Sequence, residues 1–109
     1  MAHAVVVGPD EAGVGEALAA EGYEVGTATV GNRPGLEEAG IHEATVSVLT
    51  DLEQATSITV AHDLNPDLRI VVYASGTLPE FATRQTDLLV DPDLLPPAAV
   101  AEELADADL

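Results

Sequence analysis

Four acidic residues stand just beyond apolar runs: Asp10 and Glu11 after Ala4–Val7, Asp51 after Ala44–Leu49, and Asp91 after Asp87–Val90. If the apolar runs are parallel strands, the loops at their carboxyl ends bring some of these acids together. Hard carboxylate oxygens of that kind suit Mg²⁺, Ca²⁺, or simply K⁺ and Na⁺. The opposing reading is that acids crowd every loop of a chain with 20 Asp and Glu. A second candidate is the turn Gly8-Pro9-Asp10-Glu11-Ala12-Gly13-Val14-Gly15. Glycine-rich turns that open a helix expose backbone amides to phosphate. Gly8, Asp10, Gly13 and Gly15, with Thr50 and Ser75 from later loops, make up the candidate cofactor set. The alternative is a plain strand-to-helix turn with glycines for close packing. Arg33 stands where it could meet a 2′-phosphate, or it pairs with a neighbouring acid.

Other chemistries find little support. There is no cysteine, which excludes disulfides, thiolate metal sites and cysteine nucleophiles. His3, His42 and His62 show no H-x-x-x-H spacing. Ser47, Ser57 and Ser75 lie in no G-x-S-x-G elbow. Catalysis is therefore not expected.

The elements that must position these residues alternate. Ala4–Gly8 reads as a strand buried on both faces. A helix over Ala12–Glu21 follows, with Val14, Ala17 and Leu18 toward the sheet and Gly22 as its left-handed stop. Tyr23–Ala28 is a second strand. Asn32 caps and Pro34 opens a short helix through Leu36 and Ala39, ended by Gly40. Ala44–Leu49 is the third strand. Thr50 and Glu53 form a capping-box pattern for a helix over Leu52–Leu64, with Leu52, Ala55, Ile58 and Ala61 on one face. Asn65-Pro66 ends it. Arg69–Ala74 is the fourth strand. Thr77 and Glu80 repeat the capping-box pattern before a short helix to Thr86, Asp87–Val90 is the fifth strand, and Pro97–Ala105 is the last helix, with 106–109 fraying. The expectation is a single α/β domain over 1–109: a three-layer sandwich on a five-stranded parallel sheet, Rossmann- or flavodoxin-like, ordered 2-1-3-4-5.

The composition bounds the partners. Against the acids stand three arginines and no lysine, for a formal net charge of −17. Self-repulsion of that size destabilises a compact state in dilute buffer, and molar salt screens it. Such a balance reads as a halophile's acidic protein. With no basic patch, neither nucleic acid nor an anionic membrane is an expected partner. No basic leader and no run of 18 apolar residues occur, so a cytoplasmic location is expected. A homodimer or a protein partner is open.

The runs Leu36–Ala44, Val46–Asp51 and Ala61–Val71, with Val14–Ala19, resemble the N-terminal half of RCK (TrkA-type) potassium-transport regulatory domains. The chain is also similar to short halophile proteins that carry the label CTP synthetase. It has neither the P-loop nor the cysteine glutaminase of a CTP synthase. The RCK resemblance implies a nucleotide-type regulatory module. Its phosphate turn reads G-x-G-x-x-G, whereas Gly8 and Gly15 lie seven apart with two acids between them. Ala28 and Thr29 stand where a ribose-binding acid belongs, so NAD(H) binding is expected to be weak or absent. The strand order also resembles that of response-regulator receivers. Those have paired acids after strand one, a phosphoacceptor Asp after strand three, a Ser or Thr after strand four and a Lys after strand five. Asp10 and Glu11, Asp51 and Ser75 fit, while Asp91 stands in place of the lysine. Three readings follow: a non-catalytic Rossmann-like regulatory or nucleotide-type module with a degenerate site, a degenerate receiver-like signalling or cation-binding domain, and a small enzyme or enzyme subunit.

Overall fold

The computed structural model describes residues 2–108. Strands β1 (His3–Val7), β2 (Glu24–Ala28), β3 (Val46–Leu49), β4 (Arg69–Tyr73) and β5 (Leu88–Val90) form one sheet. Its order is β2-β1-β3-β4-β5 and every pairing is parallel, as expected from apolar runs joined by helices. Parallel neighbours need crossovers, and the crossovers here are α1 (Val14–Ala20), α2 (Arg33–Glu38), α3 (Thr56–Leu64) and α4 (Glu80–Thr83). A final helix, α5 (Pro97–Asp108), packs beside α1. It runs three residues past its expected end, and Leu109 lies outside the described residues.

The period-2 alternation of each strand divides the core in two. Val5, Val7, Leu49, Ile70 and Val72 face α2, α3 and α4. Ala4, Val6, Val46, Val48, Val71 and Tyr73 face α1 and α5. Side chains are small, so helices approach closely: a Cβ at Gly26 would collide with the Ala39 carbonyl after α2.

Two helix starts differ from expectation. Thr50 does not cap; Asp51 does, its carboxylate accepting from the Glu53 amide at 3.0 Å. Leu52–Gln54 form a 3-10 turn and α3 begins only at Thr56. Ahead of α4 the N-cap position is Pro79 rather than Thr77, and the helix ends at Thr83. Asn32 and Gly22 behave as read: Asn32 Oδ1 accepts from Gly35 N at 2.9 Å, and Gly22 has φ +99°.

Candidate functional site

The carboxyl edge of the sheet opens into a cleft of about 500 Å³. The loops after β1, β3 and β4 line it with Asp10, Glu11, Thr50, Asp51, Glu53, Tyr73 and Ser75. Of the candidate residues, Asp10, Glu11, Thr50, Asp51 and Ser75 are thus gathered at one place, whereas Gly8, Gly13, Gly15 and Asp91 lie outside its lining. The polar side-chain atoms of Asp10, Thr50, Asp51 and Ser75 are already engaged.

Asp10 is half-buried and reaches forward to the start of α1. Its Oδ1 accepts from Val14 N at 2.6 Å and its Oδ2 from Gly15 N at 2.8 Å. Gly13, with φ +84°, turns the chain into the helix, and Gly15 lets the carboxylate approach to within 3.0 Å of where a Cβ would sit. The two amides that a glycine-rich turn would offer to a phosphate are therefore occupied by the chain's own anion.

Gly8 adopts φ +101°, a conformation glycine tolerates and other residues resist. A Cβ there would lie 2.7 Å from Thr50 Oγ1. The space admits the Thr50 hydroxyl, which donates to Pro9 O at 2.5 Å and Val7 O at 3.1 Å, sharing one proton between them. Thr50 ties the loop after β1 to the loop after β3.

Asp51 turns back on its own 3-10 turn, and its Oδ2 accepts from Gln54 Nε2 at 3.4 Å. The same Gln54 amide nitrogen donates to Thr29 O at 3.0 Å, and its Oε1 accepts from Gly31 N at 2.7 Å. Gln54 is the site-building residue that sequence reasoning missed. A glutamine in an expected helix reads as solvent-facing, and only the close packing of the loop after β2 reveals its role.

Ser75 Oγ donates to Asp91 Oδ1 at 3.1 Å, and Asp93 N donates to the same oxygen at 2.9 Å. Below them the Tyr73 hydroxyl donates to Leu95 O at 2.7 Å. Burial pushes the Tyr73 phenol above its ordinary pKa, and the nearby Asp93 charge adds to the shift. The end of β4 is thereby bonded to the turn that follows β5.

The four-acid cation site is not assembled in this arrangement. Asp10, Glu11 and Asp51 share the cleft, and Asp91 is joined to it through Ser75. Yet among the described residues no three His, Asp or Glu side chains converge in a way that could hold a metal ion. The physical reason is local capping: Asp10 and Asp51 each point at backbone amides of the turn that follows them. Arg33 lies exposed, 3.5 Å from Glu37 Oε1, so it meets an acid rather than facing the cleft. His42 Nε2 lies 3.0 Å from Glu37 Oε2, and that hydrogen bond with Arg33 nearby holds the Glu37 carboxyl below its ordinary range.

This fold is widely shared. A CheY-like response regulator receiver domain protein from Methanospirillum hungatei JF-1 superposes with a TM-score of 0.73 at 21% identity, covering 98% of this chain and 93% of that one. An orphan response regulator of H. pylori gives 0.74 at 10% identity, with coverages of 96% and 94%. The TrkA-N domain of the Escherichia coli inner membrane protein ybaL gives 0.66 at 19% identity, with coverages of 96% and 95%. Receivers and a TrkA-N domain alike are similar in fold, so the RCK resemblance is one of architecture and is not specific. No curated protein matches the sequence. The model of a family of unknown function, DUF7126, matches residues 4–104, and the chain belongs to that family.

Proposed function

We propose that this chain is a non-catalytic regulatory module of receiver-like architecture whose carboxyl-edge site is degenerate. One observation carries the reading: the residues that would serve a ligand are bonded to the protein itself. Asp10 fills the amides at the start of α1. Asp51 is bonded to its own turn, and Ser75 is bonded to an acid where a receiver has its lysine. Phosphoryl transfer to a carboxylate needs a cation and positive side chains around the developing charge. Around this cleft stand acids, and the chain has no lysine. A nucleotide pyrophosphate meets the same obstacle, because Asp10 holds the amides it would use.

Incubation with acetyl phosphate and Mg²⁺ in molar KCl, followed by intact mass measurement, tests this. The expected result is no phosphoryl adduct, with Asp51→Asn indistinguishable from the parent. An adduct present in the parent and lost in Asp51→Asn would establish a working receiver and overturn the reading.

A further inference from the structure

We infer that the groove between β5 and α5 docks a cationic, amphipathic segment of a partner protein, with large apolar side chains filling the groove and flanking Lys or Arg meeting its rim. The groove holds about 340 Å³. Its floor is apolar, built by Leu88 and Val90 of β5, Leu95 of the connection that follows, and Val100 of α5. Leu88 is 41% exposed and Leu95 is 42% exposed, so the chain's own packing does not close the floor. Leu94, beside Leu95 in sequence, is 79% exposed. A single exposed leucine is ordinary, whereas several along one groove mark a contact surface. The groove shares no lining residue with the carboxyl-edge cleft, so its role is independent of that site.

The rim decides what covers the floor. Glu102, Glu103 and Asp106 line one wall and are exposed. With Ala99 they fall at i, i+3, i+4 and i+7 on α5, so one helical face carries them all toward the groove. Glu102 and Glu103 each stand three or four residues from Asp106, and like charges at those spacings weaken a helix. Asp106 also lies in the last turn of α5, where the helix dipole disfavours a carboxylate, and that turn has no basic residue. No Lys or Arg stands between Gln85 and Leu109. The ion pairs Arg33–Glu37 and Arg84–Glu80 lie on the α2 and α4 side of the sheet, opposite α5.

Charge complementarity then selects the occupant. A second copy of this acidic chain, a nucleic acid or an anionic membrane would bring like charge to the wall. A cationic segment brings the opposite charge and relieves the repulsion within α5. Lys or Arg one helical turn apart, about 5 Å along the axis, match the rise from Glu102 and Glu103 to Asp106. Large apolar side chains between them cover Leu88, Leu95 and Val100, the way an amphipathic helix seats in an apolar groove. At about 1 M salt the Debye length is only ~3 Å, so the long-range attraction is screened. The apolar contact is not screened, and docking persists in brine in weakened form.

The test uses a fluorescein-labelled synthetic helical peptide with leucines at i, i+3, i+4 and i+7 and arginines between them, followed by fluorescence anisotropy in moderate and in molar KCl. Saturable binding to the parent is expected, severalfold weaker in molar KCl. Glu102→Gln with Glu103→Gln, at exposed positions that leave the fold intact, is expected to weaken binding roughly fivefold at moderate salt. Leu88→Ser is expected to weaken it roughly tenfold at both salts. Asp63→Asn with Asp67→Asn, on and just after α3 at the other layer, is expected to leave it unchanged. Peptides with glutamate for arginine, or alanine for leucine, are expected not to bind. No saturable binding of the leucine–arginine peptide would overturn the inference. So would an equal loss in the Asp63 and Asp67 double variant, or equal binding of the alanine–arginine peptide, since either shows diffuse attraction to an acidic surface. A parent that sediments as a dimer, and as a monomer once Leu88→Ser is made, would overturn it in favour of a second copy.

Discussion

At the residue scale, a small number of side chains bond the backbone amides around the cleft. Asp10 satisfies two amides at the start of α1, donors that a helix cannot pair internally. Asp10→Ala is expected to cost about 1 kcal/mol of stability, within the usual range for a lost cap, in denaturant titrations at molar KCl. Gln54 holds three partners on two loops. Gln54→Ala leaves the Gly31 amide without that acceptor, and a loss of about 1–3 kcal/mol is expected by the same measurement. Tyr73 sets a pH limit. Its phenol titrates above the ordinary value in the folded chain, so the unfolded chain loses its proton first as pH rises. Its contribution is full below the ordinary tyrosine pKa and declines as pH climbs through the folded value. Tyr73→Phe should therefore flatten the alkaline arm of a stability-against-pH curve, and an unchanged arm would contradict the assignment. Glu37 acts in the opposite sense: its depressed carboxyl contributes above the ordinary carboxylate range and less as pH falls.

At the element scale, strands were more legible than helix starts. Four consecutive apolar residues in Ala4–Val7 admit few readings, and the central position of β1 follows from burial on both faces. Asn32 and Gly22 act through backbone chemistry local to their own turns, so their roles could be read directly. Thr50 could not. Its capping-box spacing was sound locally, but β1 passes close enough to take its hydroxyl, and Asp51 became the cap. The tertiary contact overrode the local pattern, which also explains the delayed start of α3 at Thr56. The acids of the site were found by type and position, whereas their orientation depended on which amides lay in reach. Gly8 marks where the two loops meet. Gly8→Ala introduces a positive-φ alanine and a Cβ 2.7 Å from Thr50 Oγ1. A loss of about 2 kcal/mol or more is expected, measured as a lowered denaturation midpoint with unchanged slope.

At the scale of the whole molecule, charge and fold act together. A small domain with net charge −17 carries its repulsion over a surface that the parallel sheet cannot hide. Melting temperature is expected to rise steeply between dilute buffer and molar KCl, and a value independent of KCl would contradict adaptation to brine. No helix among the described residues is long and apolar enough to cross a membrane. The fold offers a ligand the usual crevice outside the carboxyl ends of the strands. In this chain Asp10, Asp51, Thr50 and Ser75 close hydrogen bonds there with the protein itself. The most direct measurement is a thermal-shift panel in molar KCl with NADH, NADPH, ATP, CTP, and Mg²⁺ with acetyl phosphate. A ligand that binds the folded state stabilises it by RT ln(1 + [L]/Kd), so even modest binders register. The expected result is no shift beyond that of a matched salt control. A saturating shift with any of these ligands, retained at molar KCl and altered by Asp10→Ala or Asp51→Asn, would contradict a closed site.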